Sequence, residues 1–133
     1  MLDLNLVRKT IEGAIATEFA KTTAYPVFYG NQTVKPPNAA PWLWCTVNFG
    51  DGEYQFLKQG DSINGVAQVN IFIPVATGTG LSLTLADRVK GVFNRLTVSG
   101  VRFRPASGPR AIAHADTSAW YQISVSIQFK AEG

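Results

Sequence analysis

The single histidine, His114, stands two residues before Asp116, and a base beside an orienting carboxylate is the start of proton-transfer chemistry. On a strand that spacing would put both on one face. Here it falls in residues 105–118, a stretch with two prolines and a glycine that reads as a long loop, so the geometry is not fixed. No serine or cysteine is marked as a nucleophile by its surroundings. Cys45 sits among Trp44, Val47 and Phe49, with no base or electropositive setting to activate it. It reads as a small buried hydrophobe.

Metal and phosphate chemistry fare no better. One histidine and one cysteine build no zinc site without several carboxylates, and the five Asp and four Glu are scattered. The run GDGE at 50–53 reads as a hairpin turn, and nothing around it has the spacing of a calcium loop. The glycines of GTG at 78–80 precede a helix, but the Lys and Ser/Thr of a phosphate-binding loop do not follow. Neither a cofactor, a metal nor a catalytic residue is expected. A last set, Trp42, Trp44, Tyr54, Phe56, Phe72 and Tyr121 with Arg102, Arg104 and Arg110, is of the kind that stacks single-stranded bases. Most of these rings fall at core-facing or turn-adjacent positions, so packing is the stronger reading.

The elements that carry these residues follow from hydrophobic period. Leu4, Val7, Ile11, Ile15 and Phe19 recur at helical spacing, so residues 3–20 read as a helix capped by Asp3 or Asn5. Gly13 inside it fits a close-packing position. Residues 24–30 read as a short extended piece that Pro26 confines to an edge or entry position. A proline-rich loop, 31–41, leads into a strand over 42–49 with Leu43, Cys45, Val47 and Phe49 on one face. Residues 54–59 read as a hairpin strand or an exposed arm, and GDSING at 60–65 as a turn. A strand over 65–73 faces Ala67, Val69, Ile71 and Ile73 to the core and ends at Pro74.

The second helix spans 81–96, with Leu81, Leu85, Val89, Val92, Phe93 and Leu96 as its stripe and Thr79 or Ser82 as its cap. Residues 97–104 read as strand, and 119–129 alternate most cleanly of all. The order predicts an α+β fold: a mainly antiparallel sheet with both helices on one face, in a single domain spanning 1–133.

Composition limits the function classes. No run approaches the roughly 18 apolar residues of a membrane span, and the amphipathic, charged opening lacks a signal peptide's apolar core. One cysteine excludes an intramolecular disulfide and fits a reducing cytosol. The net charge of +3 is mild, and its cations are spread along the chain rather than clustered as in nucleic-acid binders. The charged fraction is only 16%, against about 25% in average soluble proteins. Interface cores are depleted in charge, so a surface that meets other protein is one explanation. The faces opposite the core agree. Gln122, Ser124, Ser126 and Gln128 on the last strand, and Val66, Gln68, Asn70 and Phe72 on an earlier one, carry no charge. A sheet face open to water usually does. This face is the candidate protein interface, with Ser124 and Ser126 as its test positions.

From about residue 3 to 130 the chain resembles the tail terminator-like proteins of long-tailed bacteriophages. The resemblance lies in PVFYGN followed by a proline-rich loop, WLWCTVNF, KQGDSINGVAQVNIFIPVATG, the helix LADRVKGVFNRL and the closing DTSAWYQISVSIQFKAEG. It implies a small α/β subunit of a homo-oligomeric, hexameric ring at the head-proximal end of the tail tube. Such a ring stops tube polymerisation, contacts the tail tube protein and presents a surface to the head connector protein. DNA passes through only as cargo, with no membrane involved. It implies no cofactor and no catalysis. The site is the virion tail at the head–tail junction, reached from the host cytoplasm during assembly. The loops at 31–41, 50–62 and 104–118 are then the natural contacts. In or beside them, Arg102, Arg104 and Arg110 set against Asp51, Glu53 and Asp61, with Lys58 nearby, are candidates for fixing ring register. Alternative readings are a head–tail adaptor or a tail tube subunit, then a single-stranded nucleic-acid-binding module.

Overall fold

The computed structural model describes residues 2–21, 25–30, 32, 35, 40–50, 56–75, 79–112 and 120–133. Its elements run β1 (Leu2–Asp3), α1 (Leu4–Phe19), β2 (Val27–Tyr29), β3 (Trp42–Phe49), β4 (Phe56–Leu57), β5 (Ser62–Pro74), α2 (Thr79–Arg95), β6 (Val101–Phe103), β7 (Ser107–Ile112) and β8 (Trp120–Glu132). The fold is α+β, as the periodicity predicts.

Helix α1 starts where the Asp3 carboxylate accepts the Asn5 N–H at 2.9 Å, satisfying one of the orphan donors of the first turn. All five stripe residues, Leu4, Val7, Ile11, Ile15 and Phe19, are buried. Gly13 is not a close-packing glycine, because nothing lies within 4 Å of where a Cβ would stand. Helix α2 begins at Thr79, which puts Ser82 inside the first turn and buried rather than at the cap. No helix among the described residues is long and apolar enough to cross a membrane.

The main sheet has the order β2-β3-β5-β8-β6, and β7 joins the same free edge of β8 that β6 uses. Every pairing is antiparallel except β2 with β3, which is parallel. Four sequence expectations change. The GDSING turn is shorter than its composition implies, because β5 already starts at Ser62 and pairs with β8 from Ser62↔Glu132 to Pro74↔Trp120. The 97–104 strand shrinks to Val101–Phe103. The expected loop 105–118 contains β7, whose alternation is broken by Gly108 at φ 110 and by a register shift between Ser107 and Arg110. The free edge of β8 supplies the hydrogen bonds that make this segment a strand, and a local sequence window does not contain that edge. Last, Phe56–Leu57 is no hairpin arm of the main sheet. It pairs with Leu2–Asp3 in a separate two-stranded sheet.

Leu43, Cys45, Ala67, Val69, Ile71, Ile73, Ile123, Val125, Ile127 and Phe129 form one buried cluster with the stripes of both helices. All of these strand residues are odd-numbered and so share one sheet face, because successive side chains alternate. Gly65 belongs to the same face. A Cβ there would collide with the Phe129 ring, which stands edge-on to Phe49 at 5.7 Å and tilted against Phe103 at 5.6 Å. The missing side chain lets three aromatic rings cross the end of the sheet.

Candidate functional site

Since both helices take the odd face, the even face is left without a helix among the described residues. Strand pairing sorts it into three zones. At one end Trp42 stacks on Phe72, with ring centroids 4.0 Å apart and planes 6° from parallel. Phe28 and Trp120 meet Trp42 edge-on at 5.6 and 6.0 Å. The Trp42 indole is buried and its Nε1–H has no acceptor among the described residues. A lost partner of this kind costs about 1–3 kcal/mol, which the ring packing offsets.

The middle zone is polar and uncharged. Register places Trp44 beside Asn70, Asn70 beside Ser124, Thr46 beside Gln68, and Gln68 beside Ser126. Asn70 Oδ1 accepts from Gln68 Nε2 at 3.2 Å and from Gln122 Nε2 at 3.0 Å, and the Ser107 and Ser126 hydroxyls lie 3.1 Å apart. These amides hydrogen-bond to one another across the sheet. Ser124 is already buried within the subunit, 7% exposed between Asn70 and the β7 strand, so it has little surface to offer a partner. Ser126 is half-buried and keeps that capacity.

The third zone is basic. Arg102 lies directly across from Lys130, and Arg104 follows on the same face, its N–H donating to the Gln128 carbonyl at 2.9 Å. Together with Asn64, Val66 and Gln128 they line a depression of about 840 Å³. Lys130 was not among the sequence candidates, although its parity with Gln128 on β8 already placed it on this face. Arg110 is exposed on β7 opposite Ser124 and belongs to the margin of the middle zone. Among the described residues none of the three arginines makes an ion pair. Lys58 and Asp61 close a tight turn instead: Asp61 Oδ2 accepts the Lys58 N–H at 3.2 Å and the Asp61 N–H returns to Lys58 O at 2.9 Å. Asp51, Glu53, His114 and Asp116 lie outside the described residues.

Cys45 is fully buried, and desolvation, with Glu12 adding to it, pushes its thiol up to about 12. The thiolate that nucleophilic chemistry needs is therefore suppressed.

The face is thus a platform of aromatic, neutral-polar and basic zones rather than a cleft of converging reactive groups. Residues 6–129 match the family described as phage tail terminator protein. The chain belongs to the phage tail terminator family. Terminators are structural components of the tail, and membership gives this chain a structural role in the tail of a bacteriophage virion. No curated protein sequence matches this terminator-family chain. Several solved structures match it, one of them with a TM-score of 0.74 at 22% identity, covering 100% of this chain and 98% of its own. At that identity the likeness is one of fold.

Proposed function

We propose that this chain, acting as one domain, closes into a homomeric ring of six that caps the head-proximal end of the tail tube. The ring stops tube polymerisation, presents its opposite side to the head connector and lets DNA through as cargo, without catalysis. The observation that carries this reading is the family match over residues 6–129. The uncharged middle zone supports it. A cyclic ring needs two different patches on each subunit that meet head to tail, and an uncharged sheet face loses little hydration when a neighbour covers it. In this arrangement Ser126, Gln68 and Gln122 meet the adjacent subunit, with Arg110 at the periphery of that contact.

The experiment is solution mass by light scattering across protein concentration, with and without tail tube protein, followed by electron microscopy of the peak. A closed ring, alone or on tube ends, supports the proposal. Open filaments of this chain alone would reassign it as a tube subunit. A monomer that neither self-associates nor binds tube ends would end the ring reading.

A further inference from the structure

The basic zone concentrates three cations, Arg102, Arg104 and Lys130, around one depression. Arg102 and Lys130 face each other across the β6–β8 pair, and like charges directly opposed on a sheet are destabilising. The fold bears that cost with no compensating carboxylate among the described lining residues. Glu132, two residues along the same strand, pairs loosely with Lys130 Nζ at 3.9 Å. The chain as a whole carries an excess of cations. It has twelve Lys and Arg against nine Asp and Glu. Of those carboxylates, Glu12 and Glu18 are engaged by cations on the helices, and Asp3 and Asp61 by backbone N–H groups. Even if every acidic group of a ring paired with a cation, three cations per subunit would remain.

The shape of the zone selects among polyanions. It is concave, with Val66 at 36% exposure and half-buried Phe103 contributing apolar surface beside the cations. Binding of single-stranded nucleic acid uses exposed aromatic platforms, and the rings here, Phe49, Phe103 and Phe129, are packed against one another. Duplex DNA is read by elements that project into its grooves, and a depression does not project. A volume of about 840 Å³ suits a few residues of extended peptide.

We propose that the Arg102–Arg104–Lys130 depression is a docking site for an acidic segment of a different protein chain. In that segment, carboxylates flank an apolar side chain. Arg102 and Arg104 bind the carboxylates as forked, charge-assisted donors, Lys130 supplies a third charge, and the apolar side chain rests on Val66. This site does not depend on the ring proposed above, since it lies beyond the uncharged middle zone.

The test is fluorescence anisotropy with a labelled Glu-Asp-Leu-Asp-Glu probe peptide, titrated with wild-type protein, with an Arg102→Glu/Arg104→Glu variant and with a Lys9→Glu/Lys35→Glu variant of equal charge change. Arg102→Glu turns the repulsion with Lys130 into a pair, so folding is expected to hold, and a thermal melt checks it. Arg104→Gln is the milder second variant. The expected result is salt-sensitive binding that falls about tenfold or more in the arginine double variant. It should fall less in Arg104→Gln and stay within about twofold in the lysine control. Amide shifts of Val66 and Gln128 should move on peptide addition. An equal loss in the lysine control would reduce the effect to diffuse charge. Tighter binding of a single-stranded oligonucleotide at the same residues would make this a nucleic-acid site. Failure of the wild-type protein to bind the probe overturns the proposal outright.

Discussion

Arg88 holds Glu18 at two points, its Nε donating to the carboxylate at 3.2 Å and its Nη2 to the Glu18 backbone carbonyl at 2.7 Å. The guanidinium also lies 4.5 Å over the Phe19 ring. One side chain of α2 thereby fastens the last turn of α1, where backbone carbonyls lack intrahelical partners. Arg95 and Lys21 join the same carboxylate at 3.5 and 3.6 Å, but both are mostly exposed. Replacing Arg88 by Met should lower unfolding free energy by about 1–3 kcal/mol. Replacing Arg95 by Ala should cost no more than about 0.5 kcal/mol. Urea denaturation of the two variants measures the difference, and equal effects would mean the helix tie is not what Arg88 provides.

Gly65 and Phe129 share one volume. A methyl group at position 65 would enter the Phe129 ring and press on the Asn48 carbonyl. Gly65→Ala should therefore destabilise by about 1–3 kcal/mol through overpacking. A Gly65→Ala/Phe129→Leu double variant should recover part of that loss, since the clash goes with the ring. Thermal melts of both variants check this, and a neutral Gly65→Ala would show that the ring gives way freely.

Ser124 and Ser126 point to the same face but differ in burial, and this separates folding from assembly. Ser124→Lys forces an ammonium into a site where the native residue is 7% exposed, so unfolding should come at markedly lower denaturant. Ser126→Lys should fold like wild type, with the charge able to reach water, and fail to form the ring. Circular dichroism and light scattering on the same samples give both readings. Wild-type assembly by Ser126→Lys would remove the middle zone from the ring contact.

Cys45 and Tyr29 are register partners across β2 and β3, and both titrate late. Burial, then Glu12, raises the thiol from 9.0 to about 12. Burial, then Cys45 and Glu12, raises the phenol from 10.0 to about 12. In each case the folded state holds the proton more tightly than the unfolded chain. Their contribution is complete below the unfolded values and is lost as pH rises toward the folded ones. Stability should fall between about pH 9 and 12. A Cys45→Ala variant should lose less over that range. A thiol reagent should label Cys45 only after denaturation, and rapid labelling of the native protein would contradict the burial.

How much of this was legible in the sequence varies with the range of the interaction. The stripe Leu4, Val7, Ile11, Ile15, Phe19 and the alternation through Tyr121–Phe129 are local periodicities, and they fixed both helices, the main strands and which face of each strand is apolar. Neutrality of the opposite face was equally visible, because strand parity alone separates Gln122, Ser124, Ser126 and Gln128 from the core. What a segment pairs with was not visible. The strand at Ser107–Ile112 exists because β8 has a free edge, and Leu2–Asp3 meets Phe56–Leu57 only once the chain has folded back. The basic depression has the same origin. Arg102 and Lys130 are 28 positions apart in the sequence and become neighbours through the β6–β8 register alone. Periodicity is a property of neighbouring residues, so one sequence carries it. Register and burial are set by which distant strands compete for the same hydrogen-bonding edges and the same core volume, and tertiary structure decides that competition.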